Sequence, residues 1–280
     1  MILRESCLPP GWYPRQKAQI EEFLQPYGRQ ANDAPAVIAP HAGWYYSGNT
    51  AALAISSLQA KAETVVVIGG HLPSGKPVLM AAEDGIKTPL GIMKIDKELG
   101  ENFEKRLSAE INAPRPDNYN DNTVEVLLPM VHYFFPGSDL LWLRFPAEVS
   151  SFEAGKLLEK TARALGRRIV LVASTDLTHY GANYGFSPKG RGKAALDWVK
   201  QVNDAAFIEA VLAADPALVL QRAEEDYSSC SAGAVLGALG FVSSLGKRAK
   251  LLEYKTSADA DGPTDGIPDS FVGYAAMSFV

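Results

Sequence analysis

The stretch RRIVLVASTDLTHYG, residues 167–181, decides how this chain is read. Five consecutive apolar residues, Ile169 to Ala173, run into Ser174, and two polar groups, Asp176 and His179, follow at once. A continuous apolar run, rather than an alternating one, marks a strand covered on both faces. The same design recurs in APAVIAP (34–40), TVVVIGG (64–70) and DLLWLRF (139–145), and SFVGYAAMSFV (270–280) adds a terminal strand. Between these runs lie helical patterns. SGNTAALAISSLQA (47–60) has Ser47 or Asn49 as a cap, and SSFEAGKLLEKTARALG (150–166) stops at Gly166. KAALDWVKQVNDAAFIEAVLAAD (193–215) reads as one long amphipathic helix ending before Pro216, and SAGAVLGALGFV (231–242) as a helix of small residues. Strand and helix alternate from end to end. The expected fold is therefore α/β, with a largely parallel or mixed central sheet flanked by helices. No repeat or Ser/Gly linker divides the chain, so residues 1–280 are expected to form one domain. Residues 112–122 and 258–269 read as long loops; the acidic spacing of the second does not match an EF-hand.

Composition limits the functional classes. A net charge of -5 and a pI near 5.5 leave no basic surface for nucleic acid. No apolar window approaches the ~18 residues of a membrane span, and the first residues, MILRESCLPPGWYPRQ, lack the apolar centre of a secretory signal. Two cysteines, Cys7 and Cys230, are too few for a disulfide framework, which points to the cytoplasm.

The polar residues are informative by position. His41, His71 and the Asp176/His179 pair each follow a different strand-like run, and the carboxyl edge of an open α/β sheet is where ligands bind. His132, inside LLPMVHYFF, sits at no strand end and reads as a packed structural histidine. Cys230 precedes a helix, where exposed N–H groups favour the thiolate, a nucleophile and a soft metal ligand alike. Two imidazoles and one anionic ligand suit a divalent transition metal with open positions. A metal-free hydrolase with Cys230 as nucleophile and His179 or His71 as base is the competing chemistry, although no G-x-S-x-G signature is present. No G-x-G-x-x-G or P-loop lysine motif supports a nucleotide cofactor.

Several short motifs then occur in a specific order: GWYP (11–14), APHAGWYYSG (39–48), GGHLP (69–73), TPLG (88–91), DNTVEVLLP (121–129), STDLTHYG (174–181), CSAGAVLGAL (230–239) and DSFVGYAAMSF (269–279). In this order they resemble the Memo protein family, over nearly the whole chain. That family is similar in fold to the class III extradiol ring-cleaving dioxygenases, with a cysteine in place of the carboxylate ligand. The resemblance implies His41, His71 and Cys230 as ligands of iron, or of copper or zinc. It implies Asp176 and His179 beside the metal, with His179 as the acid/base group, and Tyr45 in the pocket wall. It implies oxidoreductase or dioxygenase-like chemistry on a small substrate, or else a non-catalytic adaptor whose pocket holds a peptide. The chain departs from the family pattern in three places. Asn122 stands where a histidine is common and cannot move a proton near neutral pH. Leu127 replaces a polar residue, and Ser231 replaces a glycine.

Overall fold

The computed structural model describes residues 1–28, 34–260 and 266–280. Its strands in chain order are β1 (Leu3–Arg4), β2 (Ala36–Ala39), β3 (Thr64–Leu72), β4 (Leu79–Met80), β5 (Gly85–Thr88), β6 (Gly91–Lys94), β7 (Arg115–Pro116), β8 (Asp139–Pro146), β9 (Ile169–Ser174), β10 (His179–Gly181), β11 (Ala249–Thr256) and β12 (Ser270–Phe279). Nine of them form one sheet in the order β10-β12-β2-β9-β3-β8-β4-β7, with β11 paired outside this path to β12. The four central strands β2, β9, β3 and β8 are mutually parallel. Strand β12 is antiparallel to β2, β10 and β11, so the sheet is mixed. The three remaining strands, β1, β5 and β6, form a small separate sheet.

Burial explains why the central strands read as unbroken apolar runs. Ile38, Val66, Ile68, Leu141, Leu143 and Leu171 face one core, closed by the helices Lys97–Glu110, Ser150–Ala164 and Ala232–Ser243. Their alternates Val37, Val65, Val67, Leu140, Trp142 and Val172 face another, closed by the helices Lys17–Leu24, Asn49–Ser56 and Leu128–Phe134. Each strand thus buries both faces, and alternation disappears from the sequence. The small residues of Ala232–Ser243 have a packing role. A Cβ on Gly240 would stand 1.9 Å from the carbonyl oxygen of Phe152, and one on Gly155 would stand 2.0 Å from that of Gly237.

Three local expectations are corrected. The helix after β2 is capped by neither Ser47 nor Asn49: Ser47 Oγ donates to the Ala42 carbonyl, Asn49 Oδ1 accepts from Tyr27, and residues Trp44–Gly48 form a π-helical turn instead. The long helix of 193–215 is split. Helices Lys193–Trp198 and Asp204–Leu212 flank a second π turn, Val199–Asn203. That turn brings Asp204 inward, where its Oδ1 accepts from Thr178 N at 3.0 Å. The expected loop 112–122 contains β7, paired to β4. In the loop 258–269, residues 261–265 lie outside the described residues.

Candidate metal centre

The carboxyl ends of β2, β3 and β9 converge, and each delivers one element of the site. Strand β2 ends at Ala39 and passes through Pro40 to His41. Its ring is 1% exposed; Nδ1 meets Ser174 Oγ at 2.8 Å, and its backbone N–H donates to Asp176 Oδ1 at 2.7 Å. Strand β3 carries His71 near its end, at a left-handed φ of 58°. Such a backbone is uncommon outside glycine and is kept where surroundings enforce it. Gly69 and Gly70 just before it are required by space. A Cβ on Gly69 would stand 2.1 Å from Thr123 Oγ1, and one on Gly70 would stand 2.3 Å from Ser231 Cβ. The strand end is therefore clasped between the turn 121–125 and the entry to the helix Ala232–Ser243.

That entry holds the third group. Cys230 is half-buried, its N–H donates to the Asp176 carbonyl, and its Sγ lies 3.2 Å from His41 Nε2. The ring planes of His41 and His71 stand at 88°, with centroids 5.1 Å apart. One ligand atom from each of His41, His71 and Cys230 falls within 4.8 Å of the others. Two ligands on one tetrahedral ion stand about 3.3–3.6 Å apart, given metal–nitrogen and metal–sulfur bonds near 2.0 and 2.3 Å. The donor set fits a divalent transition metal in chemistry as well. Ser174 engages His41 through Nδ1, and Asp121 Oδ2 engages His71 through Nδ1 at 3.1 Å. Each contact leaves the Nε2 of its ring for the site, the arrangement that outer partners give to metal-bound imidazoles.

The electrostatics agree. Burial opposes the thiolate of Cys230, but His41 and His71 outweigh it and hold the thiol well below its ordinary value. Burial likewise opposes protonation of His71, yet the Asp121 hydrogen bond and the Cys230 thiolate push its pKa up to about 10. In Asp176, complete burial dominates and raises the carboxyl, against the pull of His41 and His179.

The other sequence-derived residues divide. Asp176 joins the centre, its Oδ2 3.9 Å from His41 Nε2. His179 stands on β10, where its Nδ1 lies 3.1 Å from the Leu177 carbonyl. Its ring meets Tyr184 edge-on at 4.9 Å. Asn122 donates to the His41 carbonyl at 3.1 Å. A cleft of about 540 Å³ adjoins the centre, walled by Ala42, Asn122, Asp176, Trp12, Tyr46 and Tyr184 among others. Tyr46 takes the place expected of Tyr45. The π turn directs Tyr45 away, 64% exposed, to a neighbouring hollow beside Phe23 and Trp44. Leu127 is buried in the core facing the Asn49–Ser56 helix, and His132 bonds Thr88 at 2.7 Å, far from this chemistry in role. Two further residues of the site, Arg144 and Asp117, are not among those expected from the sequence. Arg144 Nη2 lies 3.4 Å from Asp121 Oδ2, and Nη1 lies 3.3 Å from Asp117 Oδ1. The signal was present: a lone arginine inside the apolar run DLLWLRF needs buried acidic partners.

An α/β chain whose strand ends gather two imidazoles and a thiolate belongs to a recognisable class of candidate metal-site proteins. Comparison with known proteins makes it specific. A family model described as Memo-like protein matches residues 4–278, and the chain belongs to the Memo family. It is 31% identical to a MEMO1 family protein of Pyrococcus abyssi, over 99% of both chains. A MEMO1 family protein of Methanococcoides burtonii is 30% identical, over 98% of this chain and 99% of its own. Among solved structures, an uncharacterized protein of Escherichia coli K12 shares the fold. Its TM-score is 0.54 at 14% identity, covering 89% of this chain and 100% of that one. Among the described residues no helix is long and apolar enough to cross a membrane.

Proposed function

We propose that this chain is a mononuclear metal protein that turns over a small oxygen-bearing substrate, in oxidoreductase or dioxygenase-like chemistry, in the cytoplasm. The observation that carries this reading is the His41–His71–Cys230 group, whose two rings are each engaged at Nδ1 and whose thiol is poised as thiolate. Iron is the first candidate, with copper or zinc as alternatives. When bound, such an ion supplies Lewis acidity and, for iron or copper, a redox couple at its open positions. The protein supplies the rest. Asp176 fixes the backbone of His41, and Asn122 fixes its carbonyl. His179, with Nδ1 bound to the Leu177 carbonyl, keeps Nε2 to accept or release a proton. The cleft orients the substrate between Tyr46 and Tyr184.

A second reading is a binding or adaptor protein with no turnover. It is favoured by the breadth of the cleft, whose rim tyrosines Tyr46 and Tyr184 are 51% and 47% exposed and suit a peptide segment. Metal analysis of untagged protein, purified without chelator, separates the cases together with a turnover screen. One equivalent of metal, lost in His41→Ala, with metal-dependent turnover supports the enzyme. Peptide binding that survives His41→Ala, without turnover, supports the adaptor. Absence of metal from both proteins contradicts the leading reading.

A further inference from the structure

A second cavity, of about 360 Å³, lies against the same turn that carries the metal centre: Leu72 follows His71 into its wall, and Asn120 precedes Asp121. Three cations line it, Lys76, Arg115 and Arg144, beside Tyr119, Asn120 and a set of leucines and prolines; among the described residues no carboxylate does. Asp117 and Asp121 balance Arg144 from behind, so the unpaired positive charge at this cavity is that of Lys76 and Arg115. Lys76 and Arg115 have no acidic partner among the described residues. Arg144 stands in the wall with its side chain only 5% exposed. Its Nε donates to the Gly70 carbonyl at 3.0 Å, and Nη1 and Nη2 face Asp117 and Asp121. A guanidinium has five N–H donors, so two remain beyond these three contacts.

We propose that this cavity is an oxyanion site, taking the carboxylate or phosphate group of a small acid on Arg144, Arg115 and Lys76. A guanidinium fork at the wall with two further cations at the mouth is the donor pattern such groups prefer. The site stands apart from the cleft and does not rest on the chemistry proposed for it. It is nevertheless coupled to the metal centre, because Arg144 contacts Asp121 and Asp121 holds His71. Binding at either place alters affinity at the other by the same factor.

Calorimetric titration of metal-loaded, untagged protein at constant ionic strength tests this, with inorganic phosphate and acetate as probes and chloride as the control. The expected result is saturable binding of at least one oxyanion, with the preferred probe identifying phosphate or carboxylate as the group recognised. Binding weakens about tenfold in the Lys76→Ala/Arg115→Ala variant, each exposed cation contributing a charge-assisted contact. Arg144→Lys, which keeps the charge and loses the fork, weakens it by a similar factor. No saturation, equal response to chloride, or unchanged binding in the Lys76→Ala/Arg115→Ala variant overturns the proposal. A probe bound only at the metal would give the last of these outcomes.

Discussion

His41 and His71 offer their Nε2 atoms to one site but are held in opposite ways. His41 is enclosed: 1% exposed, on an ordinary backbone, tied to Ser174 at the end of the neighbouring strand β9 and to Asp176 just beyond it. His71 has a side chain 33% exposed, a left-handed backbone and a carboxylate partner that belongs to a buried ionic chain. In that chain Asp121 divides its oxygens. Oδ1 accepts from Thr123 N at 2.8 Å, while Oδ2 faces both His71 and Arg144. Arg144 continues to Asp117, which also accepts from Trp142 Nε1 at 2.9 Å. Packing positions one imidazole and charge positions the other. Substitutions and pH should therefore act on the two unequally.

The largest effect is expected from the proposed ligands. His41→Ala or Cys230→Ser should lower metal affinity beyond the ~100-fold ceiling typical of losing an outer partner, as measured by competition with a chromophoric chelator. Next comes Arg144→Met. It strands Asp117, which is fully buried, and should cost about 3–5 kcal/mol of stability in urea unfolding. An unchanged midpoint would show that the ionic chain is not what supports the strand end. Asp121→Asn should lower metal affinity about 10–100-fold while leaving the fold intact, and Asp121→Glu should restore part of it. Ser174→Ala, which removes only a neutral partner from a packed ring, should cost about 1–3 kcal/mol and change metal affinity less than Asp121→Asn does. The reverse order would invert the comparison.

The smallest effect is the pH response of the metal-free protein. The folded-state pKa of His71 lies at about 10, above its unfolded value near 6.5. Its contribution to stability is therefore complete below about pH 6.5 and lost as pH rises toward 10. Asp121 is displaced in the other sense: burial opposes it, but His71, Thr123 and Arg144 hold its carboxyl below the usual range. Its contribution is present above about pH 4 and lost only in stronger acid. Urea midpoints of metal-free wild type and His71→Gln, compared at pH 6 and pH 9, should converge at the higher pH. A constant gap would contradict the ionic account of His71.

The same contrast sets how far the sequence could be read. Unbroken runs such as TVVVIGG made the buried central strands legible, and histidines just beyond three of them marked the sheet edge that carries the site. Cys230 could be named a ligand only through family resemblance, because a cysteine before a helix is equally compatible with a buried apolar role. The split of 193–215 was hidden, since a π turn keeps helical spacing on both sides of one extra residue. Tyr45 and Tyr46 are adjacent aromatics whose directions depend on another such turn. The Asp121–Arg144–Asp117 chain joins residues 23 and 27 positions apart, through contacts that no local periodicity encodes.

The account stands on His41, His71 and Cys230 sharing one metal ion. A crystal structure of untagged protein, with anomalous data on both sides of the iron, copper and zinc edges, tests it directly. One anomalous peak within bonding distance of His41 Nε2, His71 Nε2 and Cys230 Sγ is the expected result. A metal-replete sample with no peak there, or with its peak at other residues, would contradict the assignment.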